Sequence, residues 1–467
     1  MGTQVVSFLV SIILARLLEP KDFGTITLIT VFIAISQVFV LSGFGSALIQ
    51  KKDVTEEDYN SVFYLSLCVS ALLYAVLFFA APGIALFYQE PLLVGILRLL
   101  ALTLIVGALN AVQYAVLNRE MWFKLSFKVS LIAIVVSGVI GVSMAYCGWG
   151  VWSLVASSLG GQIATTVTLW FVVHWRPALI FSFSSIRQLF RFSSKLLVSA
   201  LLDTFFNNLY NLIIGKLFNP TVLGHYSRGQ SLPNLLMTSV NGTVSGVIFP
   251  ALASCQHDLV RVKEITRRAV KATCFVSFPV MLGLAAVAKP LVEVLLTEKW
   301  LPCVPYVQIS CITFSFWPLH TANLQVLTAL GESGTFLALE VIKKVIIVVT
   351  IAGTFRFGVM AMVIGQAVTS ALCLVINAWP NGRLIGYSFS RQMADVAPSF
   401  LLSCGMGAAV LGVGFVIANP YLQLGVQVVL GAALYLVGAK LFHLEIADYL
   451  GRLGVQIISR KSGKVIA

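Results

Sequence analysis

Residues 17–24 read LLEPKDFG, and residues 217–224 read LFNPTVLG. The two stretches run in register 200 positions apart, with Arg16 against Lys216, Leu17 against Leu217, Pro20 against Pro220 and Gly24 against Gly224. In both, Pro and Gly punctuate the chain between one apolar run and the next. Punctuation repeated in this way points to an internal duplication, and the composition says what was duplicated. Hydrophobic residues make up 58% of the chain and charged residues 10%, and the mean hydropathy is +0.95. Soluble chains run about 45–50% apolar and about 25% charged. Apolar runs of bilayer length (~20 residues) recur from end to end, and fourteen can be drawn, from 5–18 to 421–439. Backbone in lipid must satisfy its own hydrogen bonds, so such runs are helices. The expectation is an all-α polytopic membrane protein of about fourteen transmembrane helices.

The formal charge of +13 does not call for nucleic acid. With the N-terminus placed in the cytoplasm, alternate loops carry Lys and Arg in the ratio 23 to 8, which accounts for all 31 basic residues. The cytoplasmic set includes Lys343 and Lys344. Such a bias is what the positive-inside rule describes, so both termini are expected in the cytoplasm. The eight cysteines form no CxxC pair, and the five histidines form no HExxH. No metal site is therefore expected, and the cysteines read as small buried apolar residues. No GxxxxGK[ST] stretch is present, so ATP binding through a P-loop is excluded. NGT at 241–243 lies inside a span, where a glycosylation sequon has no meaning. GFGSAL from Gly43 has no preceding strand and reads as close helix packing. The first apolar run is short and has no basic residue ahead of it. That predicts a native reading frame starting upstream of Met1.

The repeat sorts the spans into two sets of six plus two. GWGVW at 148–152 and RFGVM at 356–360 open the sixth and twelfth spans, and Gln113 with Glu120 shares one offset with Gln325 and Glu332. An even number of spans per set makes the repeats parallel, a plan that transporters use for rocking one half against the other. The expected layout is a six-helix lobe over 1–175, a linker helix over 176–195, a second six-helix lobe over 196–382, two further spans over 383–440 and a cytoplasmic tail over 441–467. Within FSFSSIRQLFRFSSKLL, residues 181–197, Arg187, Arg191 and Lys195 recur every four residues. That stripe reads as an interfacial helix facing anionic headgroups, with a partner-docking helix as the alternative.

LARLLEPKDFG with GFGSALIQKKD, then FPALASCQHD, EKW at 298–300 and LEVIKK at 339–344, together resemble the Wzx-type oligosaccharide flippases of the multidrug, oligosaccharidyl-lipid and polysaccharide exporter superfamily. The resemblance runs from the start of the chain to about residue 400. It implies a fourteen-helix fold and movement of undecaprenyl-pyrophosphate-linked oligosaccharide to the periplasmic leaflet, for O-antigen, capsule or exopolysaccharide. It implies no cofactor, and partners among polysaccharide polymerase and assembly proteins. A cation or drug antiporter of the same superfamily, or a membrane enzyme acting on lipid-linked sugars, is the alternative.

Such a substrate needs a polar path for its pyrophosphate and glycan. Arg16, Lys216 and Arg228 are the candidate phosphate cations, since guanidinium forks and ammonium charges both suit phosphate oxygens; snorkelling from helix ends is the plain alternative for the first two. In LLDTFFNNLYNLIIG, residues 201–215, Asp203, Asn207 and Asn211 recur at i, i+4 and i+8 with Tyr210 beside them. This stripe is the candidate sugar-facing surface, with Asp203, read as the only acid well inside a span, a candidate site for a coupling proton or sodium ion. Asn110, Gln113, Asn241, Asn323 and Gln325 are further candidates, and hydrogen bonding between helices is the alternative for all of them.

Overall fold

The computed structural model describes residues 2–42, 48, 51 and 53–443. All of the GFGSAL motif except Leu48, and nearly all of the expected tail, lie outside the described residues. The described residues are helical with short connections and no strand, and they group into two units, Met1–Ser227 and Arg228–Ala467.

In the first unit α1 (Gly2–Leu17) and α2 (Pro20–Gln37) flank the first punctuation mark. Pro20 occupies the first helical turn, where its missing N–H costs nothing. The Glu19 N–H donates to the Asp22 carboxylate at 3.1 Å. A π-helical turn, Val38–Ser42, extends α2. Then come α3 (Glu56–Tyr88), the broken run α4 (Leu93–Leu100), α5 (Leu102–Ala108) and α6 (Ala111–Arg119), and the hairpin of α7 (Phe123–Tyr146) and α8 (Val151–Val172). A long α9 (Phe183–Leu217) leads into α10 (Pro220–Ser254). Its N-terminal part was expected as a separate linker helix, but Ser182 caps one continuous helix of 35 residues. In that helix Ile186 and Leu189 are buried and Arg187 is exposed. The side chains of Arg191 and Lys195 are outside the described set.

The second unit takes most of α10, then α11 (Leu259–Ala286), α12 (Ala288–Leu296), a 3-10 turn at Glu298–Cys303, α13 (Val304–Ser315), α14 (Trp317–Ala329), α15 (Ser333–Thr354), α16 (Val359–Leu384), α17 (Phe389–Gly414) and α18 (Pro420–Leu441). Among the described residues nine helices are long and apolar enough to cross a membrane, or ten if the run from Leu93 to Arg119, bent by 46°, counts as one span.

The repeated punctuation marks meet each other. A Cβ built on Gly24 would fall 1.6 Å from the Pro220 carbonyl oxygen, and one on Gly224 would fall 1.9 Å from the Pro20 carbonyl oxygen. The contact is reciprocal: each glycine exists so that the other copy's helix start can touch it, backbone on backbone. Thr27 carries the contact one turn on, donating to the Ser227 hydroxyl at 3.3 Å. The second pair of repeated motifs also shares a glycine of positive φ. Gly150 (φ +52°) and Gly358 (φ +92°) begin α8 and α16, each in a conformation that side chains rarely adopt.

One expectation is corrected. Lys343 and Lys344 were expected among the cytoplasmic loop cations. Helix α15 begins at Ser333, so both lysines and Glu340 lie near its centre. Removing them leaves a basic bias of 21 to 8. The same correction gives the spans a second interior acid beside Asp203. Lys343 neutralises it, its Nζ lying 2.5 Å from the Glu340 carboxylate.

Candidate functional site

The cations differ in their surroundings. Arg16 and Lys216 stand near the ends of α1 and α9, and both are exposed. The Lys216 ammonium donates to the Phe87 carbonyl and lies 4.0 Å from the centre of the Phe87 ring. It edges an apolar groove of about 730 Å³ lined by Phe32, Ile84, Phe87, Tyr88 and Leu212. An ammonium with its stem along such a wall is the snorkelling geometry. Arg228 sits deeper. Its guanidinium is 5.8 Å from the ring centre of Trp300, an indole with no exposed surface. Next to it, Gly229 packs tightly on Tyr306.

On α9, Asp203 and Asn207 are exposed and Asn211 is half-buried. Asn211 donates to the Asn208 amide oxygen at 3.4 Å, and Asn208 donates to the Thr204 carbonyl at 2.9 Å. Tyr210, grouped with them by sequence, is buried. The acid and the three amides therefore form one accessible polar strip, with the tyrosine ring turned inward.

The remaining amides face helices. Asn110 donates to the Thr166 hydroxyl at 2.6 Å, tying the start of α6 to α8. Gln113 is fully buried, its amide 3.0 Å from the Leu109 carbonyl and 3.2 Å from the Trp170 indole nitrogen. Asn241 accepts from Thr321 at 3.2 Å. Asn323 is held from two sides in the second unit: Asn381 donates to it at 2.6 Å, and Gln392 exchanges bonds with it at 2.9 Å. Gln325 is half-buried. Buried amides joined in this way are helix ties, since each would be costly unpaired.

Several polar residues escaped the sequence reading: Asn381 and Gln392 in that network, and His320, Lys343, Ser370 and Asn377 around a pocket of the second unit. One signal was available. LALEVIKKVIIVV is apolar on both sides of its charges, so a span drawn through them would have put the Glu340–Lys343 pair in the membrane. No group of three or more metal-ligating side chains occurs among the described residues.

The helix order and the long apolar helices define a class, that of multi-pass helical membrane proteins. The fold matches the inward-closed lipid II flippase MurJ with a TM-score of 0.75, over 95% of this chain and 98% of that one at 12% identity. It also matches an inward-facing multidrug resistance MATE family transporter of the MOP superfamily with a TM-score of 0.62, over 82% of this chain and 95% of that one at 15% identity. At such identities the likeness is one of fold. The family model for polysaccharide biosynthesis proteins matches residues 13–305, and the chain belongs to that family. Its relatives include the teichuronic acid biosynthesis protein TuaB of Bacillus subtilis (strain 168), 25% identical over 93% of this chain and 90% of TuaB. The succinoglycan biosynthesis transport protein ExoT of Rhizobium meliloti (strain 1021) is 26% identical over 93% of this chain and 89% of ExoT.

Proposed function

We propose that this protein flips undecaprenyl-pyrophosphate-linked oligosaccharide from the cytoplasmic to the periplasmic leaflet of the bacterial inner membrane, by alternating access and without catalysis. The observation that carries the reading is family membership together with near full-length kinship to proteins named for polysaccharide biosynthesis and transport. In this reading fourteen spans form two parallel six-helix repeats plus two helices, and both termini are cytoplasmic. Arg228, Arg16 and Lys216 attract the pyrophosphate, and the Asp203–Asn207–Asn211 strip meets the glycan or, at Asp203, a coupling ion. A polymerase and assembly proteins receive the product. Exposure of the strip supports this assignment, because polar groups on a membrane helix are costly against hydrocarbon and belong against water or protein.

The test is a leaflet-resolved assay of lipid-linked oligosaccharide in a deletion strain. Wild type should restore the periplasmic pool. Arg228→Glu should hold it below about a tenth of normal at equal expression, since reversal turns attraction for a dianionic group into repulsion at low dielectric, and Arg16→Glu with Lys216→Glu, at exposed positions, should lower it by a smaller factor. Normal export by the reversed variants would remove the phosphate assignment. An unchanged pool in the deletion strain would remove the function.

A further inference from the structure

The second unit contains a pocket of about 290 Å³ among α13, α14, α15 and α16. One wall is aromatic: Phe314 and Trp317 lie with ring centres 5.4 Å apart and planes tilted by 32°. The opposite chemistry is polar. His320 stands between Asn377, whose Nδ2 is 3.0 Å from Nδ1, and Ser370, whose hydroxyl is 3.4 Å from Nε2. An amide nitrogen can only donate, so Nδ1 accepts and the ring proton sits on Nε2, towards Ser370. Asn377 is 1% exposed, and its Oδ1 has no hydrogen-bond donor. Lys343 reaches the pocket from the centre of α15 while paired with Glu340.

These features select a ligand class. An orphaned buried acceptor calls for a donor on the ligand. Lys343 disfavours a cation and offers further N–H groups beyond the one held by Glu340. Size decides between a proton and a larger guest. With a water occupying ~30 Å³, the pocket holds about ten waters, or one sugar ring with its hydroxyls. The aromatic wall suits the C–H face of such a ring, and the amide, imidazole and ammonium suit its edge.

We propose that this pocket is a monosaccharide subsite that holds one pyranose of the transported glycan, with Trp317 as the platform and Asn377, Ser370 and Lys343 on the hydroxyls. The proposal rests on the flippase reading and adds to it a place where sugar identity is sensed. It is distinct from the α9 strip and from the phosphate cations.

The test uses the full chain in lipid nanodiscs and compares binding of bare undecaprenyl pyrophosphate with the same lipid carrying one glucose, galactose, N-acetylglucosamine or N-acetylgalactosamine. At least one single-sugar lipid should bind about tenfold tighter than the bare lipid. Trp317→Leu should reduce that advantage to under threefold and leave bare-lipid affinity unchanged, whereas Trp317→Phe should keep most of it. Ser370→Ala, a milder change, should reduce the advantage by at least threefold should the tryptophan variant fail to insert. A full sugar advantage in Trp317→Leu, or in Ser370→Ala where only that variant inserts, overturns the subsite, as does wild type with no preference for any glycosylated lipid. Wild type that binds neither kind of lipid removes the flippase reading, and the subsite with it.

Discussion

The first unit has a pocket between α1, α7 and α8, and the second has one bounded by α13 to α16; the two share the corresponding helix pairs α7–α8 and α15–α16 and differ in the helices opposite and in chemistry. Gln162 and Thr165 line the first and Ser370 and Cys373 the second, at the same spacing of 208 residues that separates Gly150 from Gly358. The first pocket measures about 190 Å³, and its polar lining is uncharged, with Ser7, Ser137, Ser158, Gln162 and Thr165. The second is larger and holds an ion-paired lysine, a histidine and two aromatic rings. At the Pro–Gly turns, by contrast, both copies keep the same residues because each copy is the other's contact surface. Reciprocal backbone contact holds a duplicated sequence together, whereas a side-chain pocket away from it is free to diverge.

The largest effect should come from that conserved contact. Gly24→Ala and Gly224→Ala each put a methyl group inside a backbone carbonyl. The cost should reach or pass the upper end of the ~1–3 kcal/mol of ordinary overpacking. Both variants should lose most of their monodisperse protein on size exclusion, and to a similar extent. A wild-type melting profile for either one would break the reciprocity.

Next comes the charged pocket. Lys343→Met leaves the half-buried Glu340 carboxylate inside a span without its cation, a loss of ~1–3 kcal/mol. Adding Glu340→Gln should restore most of it, because the unpaired charge causes the damage. Thermal unfolding of the single and double variants measures this, and no recovery in the double variant would mean that the ion pair is not the source.

A smaller difference is expected between the amide ties. Asn323→Leu strips partners from both Asn381 and Gln392 and should cost ~1–3 kcal/mol. Asn110→Leu leaves Thr166 with its bonds to the Val106 and Gln162 carbonyls and should cost ~1 kcal/mol. Equal melting shifts would contradict this ranking.

The smallest effect belongs to the uncharged pocket. Ser137→Ala removes the 2.8 Å contact with the Ser157 hydroxyl, but Ser157 still donates to the Ser137 carbonyl at 2.9 Å. The loss should be ~0.5–1 kcal/mol. A shift as large as that of Lys343→Met would erase the distinction between the two pockets.

The sequence by itself determined that this is a helical membrane protein, where its two Pro–Gly turns fall and that these turns are copies. Apolar length, Pro and Gly are read within a few residues of one another, and no partner elsewhere in the chain is needed to interpret them. The strip on α9 was legible for the same reason, since a helical period of four assigns its residues to one face. Partners were not legible. That Gly24 touches Gly224, that Asn323 is held by Asn381 and Gln392, and that His320, Lys343 and Asn377 share one pocket depends on segments far apart in the chain, and only packing brings them together. The lysine pair in α15 shows where charge misled: both lysines were counted with the loops, but a helix whose backbone bonds close within itself continues through charges that find their partners inside it.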